Sequence, residues 1–429
     1  MNSSGTGPKL CIATPLFFPT YGGAQLRYLR YLPGLREQGL DVSVFTGTAT
    51  PVDYTPDDVF TSWSHYAQGT MLPVEMINGT PVHRVRLPEQ SGGRRRLMFN
   101  RQLLKFCRNP QHRPDVLQLL GTIRIGSVPY IRALRRLGIR VLYSVTTASK
   151  VMRKKSGFDS RLFRFRLIYN STDGIVCNTE PLRQALLDMG VTRRIDVIPN
   201  GVDLARFWPA EGDSEVQALR HRFGVKPGEL VIIAVGGIMA RKGNDILVQA
   251  FSRLHERRGN THLLFVGPRQ PGLEAHHLEF QRKLDGLVAS SGAPDRIHFV
   301  DLTDDVADYI RAADIFVLAS TREGLPNSAI EAMACRKPVV ITPFIGLSDD
   351  LGQAGREYLL TERNPEALAH TFEQLVDDAK LRDELAGRGR QWIKTNMSLE
   401  KTIETYAQLY KEIASGRGSH RRSAARLVK

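Results

Sequence analysis

Short apolar runs alternate with helical patterns along most of the chain. In the second half, five runs rich in Val and Ile have the length and composition of strands buried on both faces. They occupy residues 230–235, 263–266, 297–300, 315–318 and 339–341. Helical patterns lie between them at 245–255, 274–289, 305–312 and 328–335. Strands separated by helices predict parallel βαβ units.

The first half follows the same alternation less regularly. Strands are predicted at 9–16, 42–46, 82–87, 116–120, 140–145, 174–178 and 196–198, and helices at 23–38, 127–137, 161–169 and 181–189. Residues 47–80 are rich in Thr, Pro and Asp and are predicted to be an irregular connection ending in the turn pair Asn78-Gly79. The polar stretch 200–228 separates the halves, and a last helix is predicted at 399–410.

Length and composition agree with a multidomain globular protein. The 429 residues suggest two to three domains, and 42% apolar with 24% charged residues excludes a collagen-like or wholly disordered chain. No apolar run approaches the roughly 20 residues that span a bilayer, and the apolar stretch 10–19 reads as a first strand rather than a signal peptide. Four scattered cysteines favour a reducing cytoplasm and make a zinc site unlikely.

The net charge of +15 is concentrated in the first half of the chain. Residues 1–195 contain 28 Lys and Arg against 12 acidic residues, whereas the remainder contains 31 against 32. Within 84–166, 21 basic residues face only three acidic ones. This asymmetry indicates two domains with different partners.

Three segments at predicted carboxyl ends of strands are candidate ligand-binding loops, because ligands of open α/β sheets bind there. The first is 19–25 (PTYGGAQ), where Gly22 and Gly23 precede a helix. Two glycines allow backbone N–H groups to approach a phosphate closely, and the helix N-terminus adds partial positive charge. A simple turn explains the segment equally well. It is not a Gly-x-Gly-x-x-Gly motif, so nicotinamide binding has no support.

The second segment is 236–243 (GGIMARKG), directly after a predicted strand. Arg241 and Lys242 lie beside glycines, among them Gly237, just before a helix, which suits stabilisation of an anionic leaving group. A solvated surface pair is the alternative explanation.

The third segment is 323–331 (EGLPNSAIE), and its Pro326 suits the first turn of a helix. Glu323 would lie in the loop and Glu331 one to two turns into the helix. Backbone N–H groups of Gly324, Leu325 and Asn327 would face a ligand. Paired carboxylates suggest recognition of sugar or ribose hydroxyls, whereas a helix-dipole partner and a solvated loop charge are the alternatives.

Together these segments resemble the retaining glycosyltransferases of family 4, also described as glycosyl transferases group 1. The resemblance rests on IPNGVD at 198–203, RKG at 241–243, EGLPN at 323–327 and EAMA at 331–334, in the family's order. It implies an α/β GT-B fold, in which two Rossmann-like domains with doubly wound parallel sheets face a cleft. The expected domains are 1–198 on the acceptor side, 199–396 for the nucleotide sugar, a helix at 397–415 that crosses back, and a basic tail at 416–429.

The resemblance also implies roles for single residues. Arg241 and Lys242 would neutralise the donor diphosphate in place of a metal ion, so that no metal or other cofactor is required. Glu323 would contact the donor sugar and Glu331 the ribose, and Gly22 and Gly23 would close on the phosphates. The sequence departs from the family pattern where Thr147 occupies the place of a histidine.

Three further departures concern other segments. Gln118 stands where relatives often have histidine, Arg336 stands where a glycine is usual, and Asp301 follows a strand where glycine is common. None of them touches the cations or the glutamates of the three segments.

The expected function is a cytoplasmic, metal-independent retaining glycosyltransferase that moves a hexose-type unit from a nucleotide diphosphate sugar to a glycan or lipid-linked acceptor. The basic region 84–166 is interpreted as a surface for anionic lipid on the inner face of the membrane, with a solvated face or a nucleic-acid groove as alternatives; no named nucleic-acid motif is present. Two other functions stay open: a nucleotide-sugar epimerase on the same fold, and a basic nucleic-acid-binding or scaffolding protein with a disused cleft.

Overall fold

The computed structural model describes residues 7–18, 23–48, 73–87, 93–121, 123–146, 160–209, 214–269, 275–301 and 303–416. These residues form two compact units. The first unit contains the described residues up to 200 together with 400–416, and the second contains the described residues of 201–399. The second unit is thus one continuous part of the chain, whereas the first is built from both ends.

The first unit is built on an eight-stranded sheet in the order β3-β4-β2-β1-β5-β6-β7-β8. Adjacent strands are parallel, except that β3 and β4 form an antiparallel hairpin at one edge. The strands are β1 (Lys9–Thr14), β2 (Asp41–Gly47), β3 (Val74–Ile77), β4 (Thr80–Val85), β5 (Val116–Leu119), β6 (Arg140–Val145), β7 (Gly174–Cys177) and β8 (Arg194–Val197).

Helices cover both faces of this sheet. Alternate residues of β5 illustrate the two sides: Leu117 and Leu119 belong to the core beneath the helices that connect later strands, whereas Gln118 faces the opposite way toward the chain's last helix. The helices of the first unit are α1 (Gly23–Glu37), α2 (Gly93–Arg108), α3 (Val128–Arg136), α4 (Ser160–Asn170), α5 (Glu180–Asp188) and the C-terminal helix α13 (Leu399–Ala414).

The second unit has a six-stranded, fully parallel sheet in the order β11-β10-β9-β12-β13-β14. Its strands are β9 (Leu230–Val235), β10 (Thr261–Val266), β11 (Ile297–Val300), β12 (Ile315–Leu318), β13 (Val339–Ile341) and β14 (Leu359–Leu360). Its helices are α6 (Ser214–Arg222), α7 (Asn244–Arg257), α8 (Ala275–Ala289), α9 (Val306–Ala312), α10 (Asn327–Ala334), α11 (Pro365–Asp377) and α12 (Ala379–Asn396). None of the helices in the described parts of either unit combines the length and apolar character needed to cross a bilayer.

Both sheets agree with the predicted parallel α/β class, but four local expectations need correction. Helix α2 was not predicted, because its sequence is dominated by charged residues; its buried positions Phe99, Leu103 and Cys107 recur every four residues. Residues 74–77, expected to be irregular, form β3 and pair with β4 across the Asn78-Gly79 turn. Helix α6 lies within the segment expected to be a polar linker. Helices α11 and α12 were not anticipated either.

Helix α13 supplies aromatic side chains to the first unit. The rings of Tyr406 and Tyr28 lie 6.0 Å apart, those of Tyr406 and Tyr31 5.6 Å apart, and all three are fully buried. The Tyr410 hydroxyl donates a hydrogen bond to Gln118 Oε1 at 3.3 Å, and Gln118 Nε2 donates to Ser144 Oγ at 3.0 Å. The last helix is therefore held by both apolar burial and a buried polar chain.

A histidine–carboxylate cluster lies near the amino ends of β10 and β11. His262 Nε2 and Glu229 Oε2 are 3.0 Å apart, and His262 Nδ1 and His298 Nε2 are also 3.0 Å apart. Arg296 Nη1 donates to Glu229 Oε1 at 2.9 Å. Burial, with His262 and Arg296 adding to it, lowers the pKa of His298 to about 4. Burial alone would raise the pKa of Glu229, but hydrogen bonds from Lys226, His262 and Arg296 outweigh it and lower that pKa to about 2.

This cluster makes stability depend on acid pH. Below the ordinary histidine pKa of 6.5, the unfolded chain binds a proton that folded His298 does not, so stability falls from that pH down to about 4. Glu229 adds a further loss between its ordinary pKa of 4.5 and about 2. We expect His298→Gln to flatten the pH dependence of the free energy of unfolding between pH 6.5 and about 4. Urea denaturation measures this free energy. His370→Gln, on the exposed side of α11, is the control, and equal slopes in both variants would contradict the assignment.

The end of α10 adopts a conformation that favours glycine, although an arginine stands there. Arg336 has φ +56°. Its N–H donates to Met333 O and that of Lys337 to Ala332 O, both at 3.0 Å, which is the Schellman arrangement at a helix C-terminus. The side chain pairs with Asp383 at 2.8 Å in a solvent-exposed position. The left-handed backbone is therefore occupied at a steric cost.

Relieving that cost should stabilise the second unit. We expect Arg336→Gly to be more stable than Arg336→Ala by about 1 kcal/mol, because both lose the exposed ion pair and only glycine loses the Cβ strain. Urea denaturation of the two variants measures this difference. A glycine variant no more stable than the alanine variant would show that the backbone conformation costs nothing.

Candidate functional site

The predicted cations lie in a tight turn at the carboxyl end of β9. Residues 236–239 leave the strand, Ala240–Lys242 form a single 3₁₀ turn, and Gly243 leads into α7. Gly243 has φ +74°, and a Cβ on it would lie 2.4 Å from the carbonyl oxygen of Ala319. Glycine is required here because the turn packs directly on the backbone that follows β12.

Backbone pairing joins this turn to the loop that carries Glu323. Thr321 N donates to Arg241 O at 2.9 Å, Ile345 N donates to Thr321 O at 3.0 Å, and Glu323 N donates to Ile345 O at 3.2 Å. The loops after β9, β12 and β13 are thus connected in series. Parallel strands bring their carboxyl ends to one edge of the sheet, which explains why residues about 80 positions apart meet.

Glu323 contacts both predicted cations through a single oxygen. Glu323 Oε1 lies 2.9 Å from Arg241 Nη1 and 2.8 Å from Lys242 Nζ. Arg241 Nη1 also donates to Arg322 O at 2.8 Å. The side chains of Glu323 and Lys242 are 14% and 16% exposed, whereas that of Arg241 is 34% exposed. We call these three residues the cation–carboxylate triad.

The triad carries one net positive charge in a largely buried place. Burial raises the pKa of the Glu323 carboxyl, but the charges of Lys242 and Arg241 outweigh it and hold that pKa below its usual range. Glu323 is therefore ionised at neutral pH. An anion with more than one negative charge can compete with this carboxylate for the two cations.

Helix α10 places the other predicted residues of the second unit. Gly324 and Leu325 follow Glu323, Pro326 is the N-cap, and Asn327 is the first helical residue. Leu325 is buried, and Glu331 is buried in the middle of the helix. Glu331, separated from Glu323 by seven residues, is therefore buried in the helix, whereas Glu323 contacts the two cations.

Sequence reasoning missed two residues that shape this region. A Cβ on Gly267, which follows β10 at φ +141°, would lie 2.5 Å from Gly236 O, so the loops after β9 and β10 touch backbone to backbone. Arg363 Nε donates to Ala319 O at 2.8 Å and brings a third cation close to Gly243. The strand before Arg363, β14, has only two residues and gives no recognisable pattern in the sequence.

Other predicted positions lie elsewhere. Gly23 is the first residue of α1 in the first unit, and Gly237 follows β9. Gly22 and Thr147 fall outside the described residues, as does most of the predicted basic tail. Contact of Gly22 and Gly23 with a phosphate therefore stays a prediction.

Comparison with known proteins decides the family. A model described as "Glycosyl transferases group 1" matches residues 229–378, and a "Glycosyl transferase 4-like domain" model matches residues 22–201. The chain belongs to the group 1 glycosyltransferases. The glycosyltransferase is 28% identical over 388 residues to D-inositol 3-phosphate glycosyltransferase of Salinispora arenicola, covering 84% of this chain and 81% of that one.

Solved structures confirm the predicted GT-B fold of the glycosyltransferase. Sucrose-phosphate synthase from Thermosynechococcus elongatus has a TM-score of 0.75 at 21% identity, covering 95% of this chain and 100% of that chain. HepE from Anabaena, in complex with UDP and glucose, has a TM-score of 0.71 at 17% identity, covering 94% and 99%. Use of a nucleotide-sugar donor is supported, whereas neither the epimerase nor the nucleic-acid-binding alternative gains support.

Proposed function

We propose that this glycosyltransferase transfers a sugar from a nucleotide diphosphate sugar to a glycan or lipid-linked acceptor, with retention of anomeric configuration and without a metal ion. The observation that supports this most directly is the cation–carboxylate triad at the carboxyl end of the second sheet. Two cations converge there on one anionic oxygen, which is the arrangement that a departing diphosphate needs.

In the free enzyme, Glu323 occupies the position of the diphosphate. When the donor binds, its phosphate oxygens replace the Glu323 oxygen as acceptors for Arg241 and Lys242. Glu323 is then released to accept hydrogen bonds from the hydroxyls of the donor sugar. The cations stabilise the charge that develops on the leaving group, in surroundings where little water screens it.

The remaining residues orient the nucleotide. Glu331 accepts hydrogen bonds from the two ribose hydroxyls, since a carboxylate binds two adjacent O–H donors well. The backbone N–H groups of Gly324, Leu325 and Asn327 and the backbone at Pro326 and Gly237 contact the donor phosphates and sugar. Alignment of the donor in this way adds to the rate by positioning.

The proposed role of Arg241 and Lys242 predicts that replacing Lys242 strongly lowers activity while the protein stays folded. We expect Lys242→Ala to lower kcat for donor turnover by about 10²- to 10³-fold, because one stabilising donor to the transition-state charge is removed. Turnover is measured with a panel of nucleotide sugars in the presence of EDTA. Lys283→Ala, which removes a surface ion pair with Asp245 on α7, is the matched control and should retain wild-type turnover.

Two results separate the parts of this proposal. Glu323→Gln should lose turnover yet bind free nucleoside diphosphate at least as tightly as the wild type, since the cations no longer have a competing carboxylate. If no nucleotide or nucleotide sugar binds to the wild type, the proposed function is wrong. If EDTA abolishes turnover, the proposed metal independence is wrong. NMR of the anomeric proton of the product tests whether the configuration is retained.

We further propose that the first unit binds an anionic membrane on its cytoplasmic face. Helices α2 and α4 both pack against the 3₁₀ turn Ile125–Ser127. These neighbouring elements expose Leu97, Ile125 and Phe163 at 52%, 45% and 57%. Exposed Arg94, Arg101 and Arg164 lie on the same two helices. Apolar side chains among cations suit the interface of an anionic bilayer.

Vesicle binding tests this surface. We expect the wild type to bind vesicles containing phosphatidylglycerol and not neutral vesicles, and Phe163→Ser to weaken that binding roughly tenfold, because a phenyl ring no longer enters the interface. Met76→Ser is the control, since Met76 is 64% exposed on β3 but belongs to a different surface element. Equal binding to neutral and anionic vesicles in a sedimentation assay would contradict the proposal.

A further inference from the structure

A buried hydroxyl lies on the loop that carries Glu323. Ser320 is the second residue after β12 and precedes Glu323 by three positions. Its side chain is completely buried, and its Oγ forms no hydrogen bond of ordinary geometry with any of the described residues. A dry, unpaired hydroxyl costs free energy, and folded proteins rarely keep one without a reason. A role that begins only when a ligand binds would account for it.

The backbone on both sides of Ser320 is held in place. Arg363 Nε donates to Ala319 O at 2.8 Å on one side. Thr321 N donates to Arg241 O at 2.9 Å on the other. The Ser320 side chain therefore has little freedom to move. A residue that orients a functional group must itself be fixed in this way.

The Ser320 hydroxyl lies close to the Glu323 carboxylate. Burial raises the pKa of Glu323, the charges of Lys242 and Arg241 lower it most, and the Ser320 hydroxyl lowers it as well. Glu323 Oε1 already accepts from both cations, which leaves Oε2 as the oxygen for Ser320. While the cations hold the carboxylate, the hydroxyl is near it without a well-formed hydrogen bond.

Donor binding changes the partners of this carboxylate. In the proposed function the diphosphate takes over Arg241 and Lys242, so that Glu323 loses two donors at once. A largely buried carboxylate needs another hydrogen-bond donor to remain ionised under these conditions. Ser320 is a donor on the same loop. A hydrogen bond from its hydroxyl to Oε2 leaves Oε1 free to accept from the hydroxyls of the donor sugar.

We propose that Ser320 is a positioning residue: its hydroxyl donates to Glu323 Oε2 once the donor diphosphate has taken over Arg241 and Lys242, so that Oε1 is presented to the donor sugar. The inference rests on the proposed function and deepens it, because it names the residue that fixes Glu323 in the donor complex. Ser320 acts through Glu323 and does not itself touch the substrate.

Stability tests whether the hydroxyl has a partner in the free protein. Ser320→Ala is compared with Thr342→Val, since Thr342 follows β13, is also completely buried, and has an Oγ1 without a partner among the described residues. Neither substitution removes a well-formed hydrogen bond, so we expect neither to lower the midpoint of urea denaturation. A lower midpoint in Ser320→Ala alone would assign its hydroxyl a structural role and overturn the proposal.

Kinetics then separate the two hydroxyls. We expect Ser320→Ala to lower kcat by about 10-fold, the size of effect that one lost hydrogen bond to a charged group produces. Its Kd for free nucleoside diphosphate, measured by calorimetry, should keep the wild-type value because Arg241 and Lys242 are intact. Thr342→Val should match the wild type in both quantities. Equal kcat values in the three proteins would contradict the role of Ser320.

The pH profile gives a readout that a purely structural role would not move. A hydrogen bond to the ionised Glu323 carboxylate lowers its pKa, so its removal raises that pKa in the donor complex. We expect the acid limb of the kcat profile to shift to higher pH by about one unit in Ser320→Ala. The limb of Thr342→Val should coincide with that of the wild type. An unshifted limb in Ser320→Ala counts against the inference.

The failures of the two proposals are distinguishable. Wild-type turnover together with an unchanged kcat and pH profile in Ser320→Ala overturns the positioning role and leaves the transferase intact. Absence of turnover with every nucleotide sugar in the wild type overturns the proposed function and the role of Ser320 with it.

Discussion

One buried oxygen, Glu323 Oε1, holds two cations that would otherwise repel each other at the end of the second sheet. The rest of this region is arranged around that contact. Gly243 lets the cationic turn approach the backbone after β12, and Thr321 closes the gap by donating to Arg241 O. The arrangement is stable without ligand, yet its cations stay directed at one point. A site that stabilises charge developing on a leaving group needs cations that are already held in position.

The sequence was most informative where burial is complete. Runs of Val and Ile predicted β9, β12 and β13 at the observed bounds, because a strand covered on both faces tolerates few other residues. Helix α2 was missed because it begins with three consecutive arginines after Gly93, and because its buried positions recur only once every four residues. Strand β3 of the hairpin was missed because it has only four residues and is largely exposed.

For the candidate site, motif and spacing singled out residues but could not predict the contacts that they make. The sequence does not show that Glu323 contacts both Arg241 and Lys242. This contact depends on backbone hydrogen bonds that connect the loops after three strands. The place of Arg363 in the candidate site could not be predicted for a related reason. The sheet places Arg363 beside Gly243, and no local sequence pattern indicates this position.

The return of α13 to the first unit affects the order of events during synthesis. Tyr406 and Tyr410 fill a core whose other side, around Tyr28 and Gln118, is made roughly 290 to 380 residues earlier. As the ribosome proceeds, the second unit is a continuous segment that can fold once it has emerged, as domains generally do. The first unit keeps an uncovered apolar face until α13 has been synthesised and has emerged. The N-terminal half is thus completed after the second unit, and its exposed apolar face is prone to aggregation in that interval.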